Sequence, residues 1–420
     1  VRIVPELDFT SAPGNSSIHP LRNGSGPWQL HRPQKMPLLR VSGTVHCDVV
    51  VVGAGITGAM TAEILTRAGH SVIVVDRAFP GRGSTAASTA MLLWEIDTPL
   101  VELADLYGFE KASAVYQRSL LAVSGIADMV EQLALPCQFA LRPSLYLAPT
   151  GESDADLAQE HTARARAGLP GALLSREELI GAFGFDRPAA LVSPGSAEAD
   201  PALLSHGLLQ AAFRGGARLV ADEAVRYDWD DESAYVALAS GASLHAKKIV
   251  LATGYDMPDF VRSDLHSIVS TWCVSTGPVP RNAIWNDRAL LWEADDPYLY
   301  ARLTQSDEIV LGGEDEVIED ADERDKKMAE KSAALARRMR DLWPDRDYTF
   351  TSSWTAAFGQ TEDGLPLIGP VPGARNILAA YGYGGNGITF SFMASRIIAE
   401  LVAGAPRPWF DDFALDRGQP

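Results

Sequence analysis

The sequence predicts an α/β chain: a Rossmann-like nucleotide-binding domain joined to an α+β domain on a mixed antiparallel sheet. Three observations predict it. A strand, glycine turn, helix and second strand run from Val49 to Asp76. A second glycine-rich loop, Gly382 to Gly387, opens onto a helix-like stretch near the C-terminus. Between them, residues 268 to 317 are dominated by strand-like segments.

The first unit follows from its residues. Val49, Val50, Val51 and Val52 make a buried strand that enters Gly53, Gly55 and Gly58. Gly53 permits the tight turn, Gly55 lets backbone approach a diphosphate, and Gly58 lets helix sit close to strand. The helix runs to Ala68, is stopped by Gly69, and a second strand ends at Asp76, eighteen residues after Gly58. A diphosphate fits the free N–H groups at such a helix start, and Asp76 is placed to accept ribose hydroxyls. The same glycines in a turn that binds nothing would lack the acid and both flanking strands.

Bulk properties narrow the field. The chain has 420 residues, 46% of them hydrophobic, enough for two domain-sized cores. Its net charge of −18 argues against a nucleic-acid partner, which requires a basic face. Cys47, Cys137 and Cys273 are scattered, and neither they nor the eight histidines have metal-ligand spacing, so no metal is expected. The most apolar late stretch, Ile388 to Ala403, contains Arg396 and Glu400, so no membrane span is expected. With no charged-then-apolar leader, a cytoplasmic location is the expectation.

Taken in order, residues 1 to 40 form an irregular arm rich in Pro, Gly, Ser and Asn, which Trp28 either pins to a groove or leaves frayed. The segment Gly83 to Ala90 is small and hydroxylated, suited to pressing on a ring or phosphate. Thr98-Pro99 starts helical patterning that continues with breaks to Leu135. Leu141 to Leu147 reads as a strand, and Ser153 to Arg166 and Ser175 to Gly184 as helices capped by their serines. Asp200-Pro201 opens a helix to Arg214. Strands follow at Ala217 to Ala221, Val225 to Asp228, Tyr235 to Ala239 and Lys248 to Ala252, the last ending in Thr253-Gly254. Tyr298, Tyr300 and Arg302 alternate and share one strand face. Ile309 to Leu311 is the next strand, ending in Gly312-Gly313-Glu314. Residues 321 to 342 read as a solvated helix and Thr349 to Ala357 as a strand. Gly364 to Pro370 reads as turns and Ile377 to Ala380 as a strand before the final loop and helix.

A dinucleotide loop at one end and a glycine-rich helix start at the other suggest one extended cofactor, and FAD fits better than NAD. The ADP half lies on Gly53 to Gly58, and the isoalloxazine reaches the C-terminal loop. A helix N-terminus there stabilises the negative charge of the reduced ring by about 0.3–1 kcal/mol.

These motifs carry a resemblance. The first glycine loop with Asp76, the run Gly83 to Ala90, Asp200-Pro201, Thr253-Gly254, Asp363 to Gly369 and Gly384 to Gly387 resemble the flavoprotein superfamily of D-amino-acid, glycine and sarcosine oxidases, over nearly all of residues 45 to 405. The stretch Asp296 to Arg302, with Gly312 to Asp315, is similar to the bacterial branch that includes γ-glutamylputrescine oxidase-like proteins. The resemblance implies an FAD-binding domain of glutathione-reductase type assembled from residues 41–108, 190–262 and 355–420, and a substrate domain from 109–189 and 263–354. It implies an enzyme that oxidises the carbon–nitrogen bond of an amine or amino acid to an imine, with hydride passing to flavin N5 and then to oxygen or another acceptor. Two competing readings are oxidation of a hydroxy acid or polyol derivative and a non-catalytic flavin-binding subunit. Where some sarcosine oxidases attach flavin through cysteine, this chain has Trp354, Thr355 and Ala356, so FAD is expected to be non-covalent. The strand matching a lysine that assists oxygen in those enzymes is Ile309-Val310-Leu311, which has none.

The expected cofactor contacts are Gly53, Gly55, Ile56, Thr57, Gly58, Asp76, Arg77, Gly83, Ser84, Thr85, Ala87, Ser88, Thr89, Val225, Thr253, Gly254, Gln360, Gly384, Gly385, Asn386, Gly387, Ile388 and Thr389. Asn386 is also a candidate cap. Arg302 is the expected catalytic-site residue that grips a substrate carboxylate, since a guanidinium does so in two-pronged fashion; otherwise it is a structural ion pair. Tyr300 is expected beside it at the reacting centre, with Tyr298, Trp354 and Glu314 contacting substrate. For each, a packing or ion-pair role is the alternative.

Overall fold

The computed structural model describes residues 22–28, 36–149, 155–261, 264–293, 297–344 and 348–418. Most of the N-terminal arm, Ser153 and Asp296 lie outside them.

Two sheets organise the described residues. The first has Thr44–Val52 at its centre. Val72–Asp76 and then Arg218–Ala221 lie to one side, all parallel. On the other side come Ser243–Leu251 and Ala374–Tyr381, also parallel, and then Leu367–Val371, antiparallel at the edge. Val49, Val50 and Val51 are fully buried, as a parallel strand covered on both faces demands. The helix Ile56–Arg67 packs against Pro201–Arg214 and Gly387–Val402, and Phe109–Gln132 packs on the last of these. The opposite face is covered by a hairpin of Ala224–Trp229 and Ala234–Leu238.

The second sheet runs in the order Arg22–Gly24, Phe350–Thr361, His266–Pro278, Glu308–Glu316, Leu299–Leu303, Leu290–Glu293, Ala140–Leu147, Ala189–Glu198 and Met91–Leu92. Neighbours are antiparallel except Leu290–Glu293 with Ala140–Leu147. Met91–Leu92 and Ala189–Glu198 fall in sequence segments expected for the FAD-binding side, yet both pair here. Both thus belong to the second sheet, and Met91 lines the cavity described below.

Several local readings shift. The early helical stretch is two helices, Leu100–Tyr107 and Phe109–Gln132, parted at Gly108 with φ 84°. Ser175 caps its helix through a reciprocal capping box with Glu178, and Asp200 caps Pro201–Arg214. Gly312, Gly313 and Glu314 do not end a strand: Glu308–Glu316 continues through them. Leu367–Val371 is a strand where turns are expected, because its residues pair with Ala374–Tyr381. The charged stretch after residue 320 is two helices, and it is not simply solvated: Arg324 and Lys331 are buried, and Leu335 and Met339 enter the core. No helix among the described residues is long and apolar enough to cross a membrane.

Candidate functional site

One cavity of about 1200 Å³ runs between the sheets, from the strand ends at Val52 and Val75 to the wall formed by Trp292, Tyr298 and Tyr300. Its first end is built on Gly53. This residue has φ 105°, and a Cβ there would lie 2.2 Å from the carbonyl oxygen of Ala252; a Cβ on Gly58 would lie 1.9 Å from the oxygen of Gly53. The three backbones meet because there are no side chains between them. The helix that follows has no acidic residue in its first turn and no side-chain cap from Gly55. Thr85 closes on it, its Oγ1 accepting from the N–H of Ile56 at 3.0 Å. A glycine turn at a helix start with no acidic residue in its first turn is a donor set for a diphosphate.

Asp76 faces this end. Its two carboxylate oxygens accept from the N–H groups of Ala54 (2.6 Å) and Ala78 (2.7 Å). A carboxylate has about four lone-pair positions, so the capacity to accept ribose hydroxyls remains. Burial pushes its pKa up against those hydrogen bonds. Arg77 is turned to Glu223 and Asp256, at 3.5 and 2.7 Å, on the same rim as Val225.

The middle of the cavity is lined by Gly83, Ser84, Thr85, Ala87, Ser88 and Thr89 on one side, and by Thr253 and Gly254. Ile56, Thr57, Gly384, Gly385, Gly387 and Ile388 also face it. Together these surfaces fit an extended dinucleotide such as FAD, with a phosphate cradle at one end and the N-terminus of Gly387–Val402 at the other.

Other expected contacts stand behind the wall. Gly58 acts by close packing. Asn386 donates to the carbonyls of Leu93 (3.2 Å) and Glu95 (2.7 Å), and Thr389 Oγ1 donates to Leu93 at 2.8 Å. Both therefore pin the helix start to the segment after Met91–Leu92 and do not line the cavity. Gln360 does not line it either, because Phe350–Thr361 continues as a strand through it; Ala356, Ala357 and Phe358 take the wall.

Three expected substrate contacts are corrected. Arg302 is 2% exposed and does not reach the cavity. Its Nε donates to the carbonyl of Thr89, Nη1 to Glu198 Oε2 at 3.0 Å and Nη2 to the carbonyl of Ala199 at 2.8 Å. Buried and so committed, its pKa is lowered to about 10 by desolvation, against the pull of Glu198. Trp354 is 1% exposed, packs with Ala87, Cys273 and Val310, and donates from Nε1 to the carbonyl of Ala87. Glu314 is buried between Lys331 and Arg338, at 3.5 and 3.6 Å. None of the three lines the cavity: Arg302 and Trp354 stand behind Thr89 and Ala87, and Glu314 is held in an ion-pair cluster.

Tyr298 and Tyr300 do line the cavity, with ring centroids 5.7 Å apart. The Tyr300 ring lies against Gly312, where a Cβ would be 2.5 Å from its hydroxyl, so the glycine run makes room for the phenol. The Tyr300 hydroxyl is 3.4 Å from Thr271 Oγ1, and the Tyr298 hydroxyl donates to Asp315 Oδ2 at 2.6 Å. Burial and the Asp315 charge raise the pKa of both phenols well above the usual value.

Sequence reasoning missed Asp97, Trp292 and Tyr383, which line the same end, and Asp315 behind it. Asp97 was visible only as a residue before a helix start. Tyr383 sits inside the final glycine run, and an aromatic between glycines was the available signal. The arm also contributes: Arg22, Asn23 and Gly24 line the cavity from an edge strand paired with Phe350–Thr361.

Known proteins resemble this chain over most of its length. Glycine oxidase of Geobacillus kaustophilus (strain HTA426) is 24% identical over 391 residues, covering 86% of this chain and 93% of that protein. Gamma-glutamylputrescine oxidoreductase of Escherichia coli (strain K12) is 25% identical over 396 residues, covering 90% and 88%. Among solved structures, L-proline dehydrogenase from P. horikoshii superposes with a TM-score of 0.75 at 18% identity, covering 90% of this chain and 98% of that one. The model of the family described as "FAD dependent oxidoreductase" matches residues 48–401, and the chain belongs to that family, as a flavoprotein and an oxidoreductase.

Proposed function

We propose that the chain oxidises the carbon–nitrogen single bond of an amine or amino acid to an imine, using FAD held without a covalent link. The observation that carries this reading is the single cavity that joins the Gly53 to Gly58 cradle to a pocket of phenols beside the N-terminus of Gly387–Val402. Relatives whose names describe amine or amino-acid substrates support it.

When bound, FAD supplies the acceptor for the hydride that leaves the substrate carbon. The protein's part is positioning. Tyr298 is oriented by its hydrogen bond to Asp315 and Tyr300 by its place against Gly312, and burial, which pushes both phenols further above their usual value, disfavours them as bases. The edge strand Arg22–Gly24 lines the cavity flank, and Trp28 is hydrogen-bonded to Ser88 beside it. Among the described lining residues there is no cysteine and no histidine. A cysteine link to the flavin has no partner there, and neither has a histidine base for removing a hydroxyl proton.

The test is an anaerobic screen of amines, amino acids and hydroxy acids for flavin bleaching in the purified yellow protein. Bleaching by amines or amino acids is the expected result; bleaching by hydroxy acids alone overturns it. Acid precipitation should release the FAD into the supernatant. The proposal extends to oxygen or another small oxidant as electron acceptor, read by admitting air, and to a cytoplasmic location, read by cell fractionation.

A further inference from the structure

We propose that Arg22 and Arg82 form a cation pair that grips the diphosphate of FAD, adding full positive charge to the Gly53–Gly58 cradle and making the N-terminal arm part of the cofactor site. This rests on FAD as the cofactor and is independent of the substrate reading above.

The cradle by itself is short of charge. Its donors are backbone N–H groups with the partial charge of a helix start, and Asp76 beside it is an acid. Among the described lining residues there is no lysine, and the arginines are Arg22, Arg77, Arg82 and Arg226. Arg77 is committed to Glu223 and Asp256, at 3.5 and 2.7 Å. Arg226 stands next to Val225 on the rim strand Ala224–Trp229.

Arg82 is tied to the cradle on both sides. The N–H of Gly81 donates to the carbonyl of Ala54 at 3.0 Å, and Thr85 Oγ1 accepts from the N–H of Ile56 at 3.0 Å. These two contacts hold the segment against the glycine turn with Arg82 between them. The Arg82 guanidinium lies 5.2 Å from the centroid of the Phe79 ring and has no acidic partner among the described residues.

Arg22 arrives from the arm. Its strand pairs with Phe350–Thr361, and Arg22 lies opposite Ala356, which also lines the cavity. Gly24 has φ 78°, and a Cβ there would lie 2.3 Å from the carbonyl oxygen of Ser353, so the strand docks this closely only because the residue is glycine. Arg22 Nε donates to the carbonyl of Arg82 at 2.7 Å and Nη1 to that of Gly24 at 3.2 Å. Nη2 is left without a partner among the described residues, and no acid pairs with the group. Burial and the charge of Arg82 lower the Arg22 pKa, so the two cations are close enough to repel each other. Two guanidiniums held together at one cavity end with no carboxylate between them favour an anion there. A diphosphate offers the oxygens that their planar forks bind best.

The experiment uses the full chain, freed of flavin and accepted once it regains FAD, and compares ADP with adenosine by calorimetry at pH 7.5. The two ligands differ by the diphosphate alone, so the ratio of their dissociation constants isolates the grip on it. Arg22→Gln and Arg82→Gln should each narrow that ratio at least fivefold, with adenosine binding within twofold of the wild type. Arg82→Lys keeps the charge and should fall between the wild type and Arg82→Gln. Gly24→Val keeps both arginines but displaces the arm strand, and should narrow the ratio as Arg22→Gln does. Arg340→Gln removes an exposed charge from the helix Met328–Leu342 and should leave the ratio unchanged. In the FAD-loaded protein, both glutamine variants should release FAD at least fivefold faster on dilution. An unchanged ratio in either glutamine variant, an equal loss of ADP and adenosine binding, or the same narrowing in Arg340→Gln overturns the inference. A wild-type chain that binds neither FAD nor ADP removes the parent reading instead.

Discussion

The guanidinium of Arg302 and the carboxylate of Glu198 lie 3.0 Å apart with side chains 2% and 0% exposed, and the pair ties the strand Leu299–Leu303 to Ala189–Glu198 across the back of the candidate site. Arg142 reaches the other oxygen of Glu198 at 2.9 Å. Removing Arg302 leaves Glu198 with Arg142 alone and takes a donor from the carbonyls of Thr89 and Ala199; losing a partner from a buried pair costs about 3–5 kcal/mol. Arg302→Met should therefore lower the unfolding free energy by about that amount in urea titrations. The wild-type ranking of substrates in anaerobic flavin bleaching should be unchanged, because the side chain does not face the cavity. A selective loss of carboxylate binding in a stably folded variant would restore Arg302 as a substrate ligand.

Gly58 gives a sharper contrast. Its Cβ would meet the oxygen of Gly53 at 1.9 Å, and backbone there has no room to yield without moving the helix off the strand. Gly58→Ala should raise the dissociation constant for FAD at least tenfold, about 1.4 kcal/mol, measured by fluorescence titration of the apoprotein. Gly181 is the control: it sits in the helix Arg176–Phe183, and a Cβ added there would meet nothing within 4 Å. Gly181→Ala should leave FAD binding unchanged and add about 0.5–1 kcal/mol of stability.

These two sites also show what could be read from the sequence. The cradle at Gly53 to Asp76 was legible because local spacing carries its whole geometry. Strand, turn and helix are consecutive, and each glycine has a steric reason. Arg302 was not legible in the same way. Alternation placed it on one strand face with Tyr298 and Tyr300, but the structure sends the tyrosines to the cavity and the arginine to Glu198, 104 residues earlier in the chain. That choice depends on where Ala189–Glu198 docks, and no local pattern encodes it. Asp97 was hidden for the same reason: its place on the cavity wall is fixed by the N–H of Gly385, which lies 288 residues away.

Trp28 closes the flank of the site from the arm. Its Nε1 donates to the carbonyl of Ser88 at 2.6 Å, and the Arg302 guanidinium lies 4.7 Å from its ring centroid. Ser88 belongs to the small-residue wall of the cavity, so loss of the indole frees that segment. Trp28→Ala should speed FAD release several-fold after dilution, followed by the rise in free-flavin fluorescence. An unchanged rate would make the arm a passive covering.

His266 predicts an acid limb of stability. It packs edge-on to Tyr381 with Nε2 buried and unpartnered, and burial lowers its pKa from 6.5 to about 4. Between those two pH values the unfolded chain binds the proton and the folded one does not. Stability from this residue is therefore present above pH 6.5 and falls as pH drops toward 4, by at most roughly 3 kcal/mol. His266→Phe should flatten that part of the thermal-midpoint profile. A wild-type profile already flat from pH 6.5 to 4 would rule the effect out.

Asp315 predicts the reverse slope. Burial raises its pKa from 3.8 to about 6, reinforced by the charge of Asp97 and opposed by the hydrogen bond from Tyr298, the nearby hydroxyl of Thr271 and Lys331. Between pH 3.8 and 6 the folded protein holds a proton that the unfolded chain has released, so this group favours folding at low pH and loses that contribution as pH rises. At pH 7 the folded state carries a secluded carboxylate at a cost of roughly 3 kcal/mol. Asp315→Asn removes the charge and keeps an oxygen to accept from Tyr298. It should raise the thermal midpoint at pH 7.5 and leave it unchanged below pH 4. If the midpoint at pH 7.5 does not rise, the carboxylate is better compensated than its unpartnered Oδ1 implies.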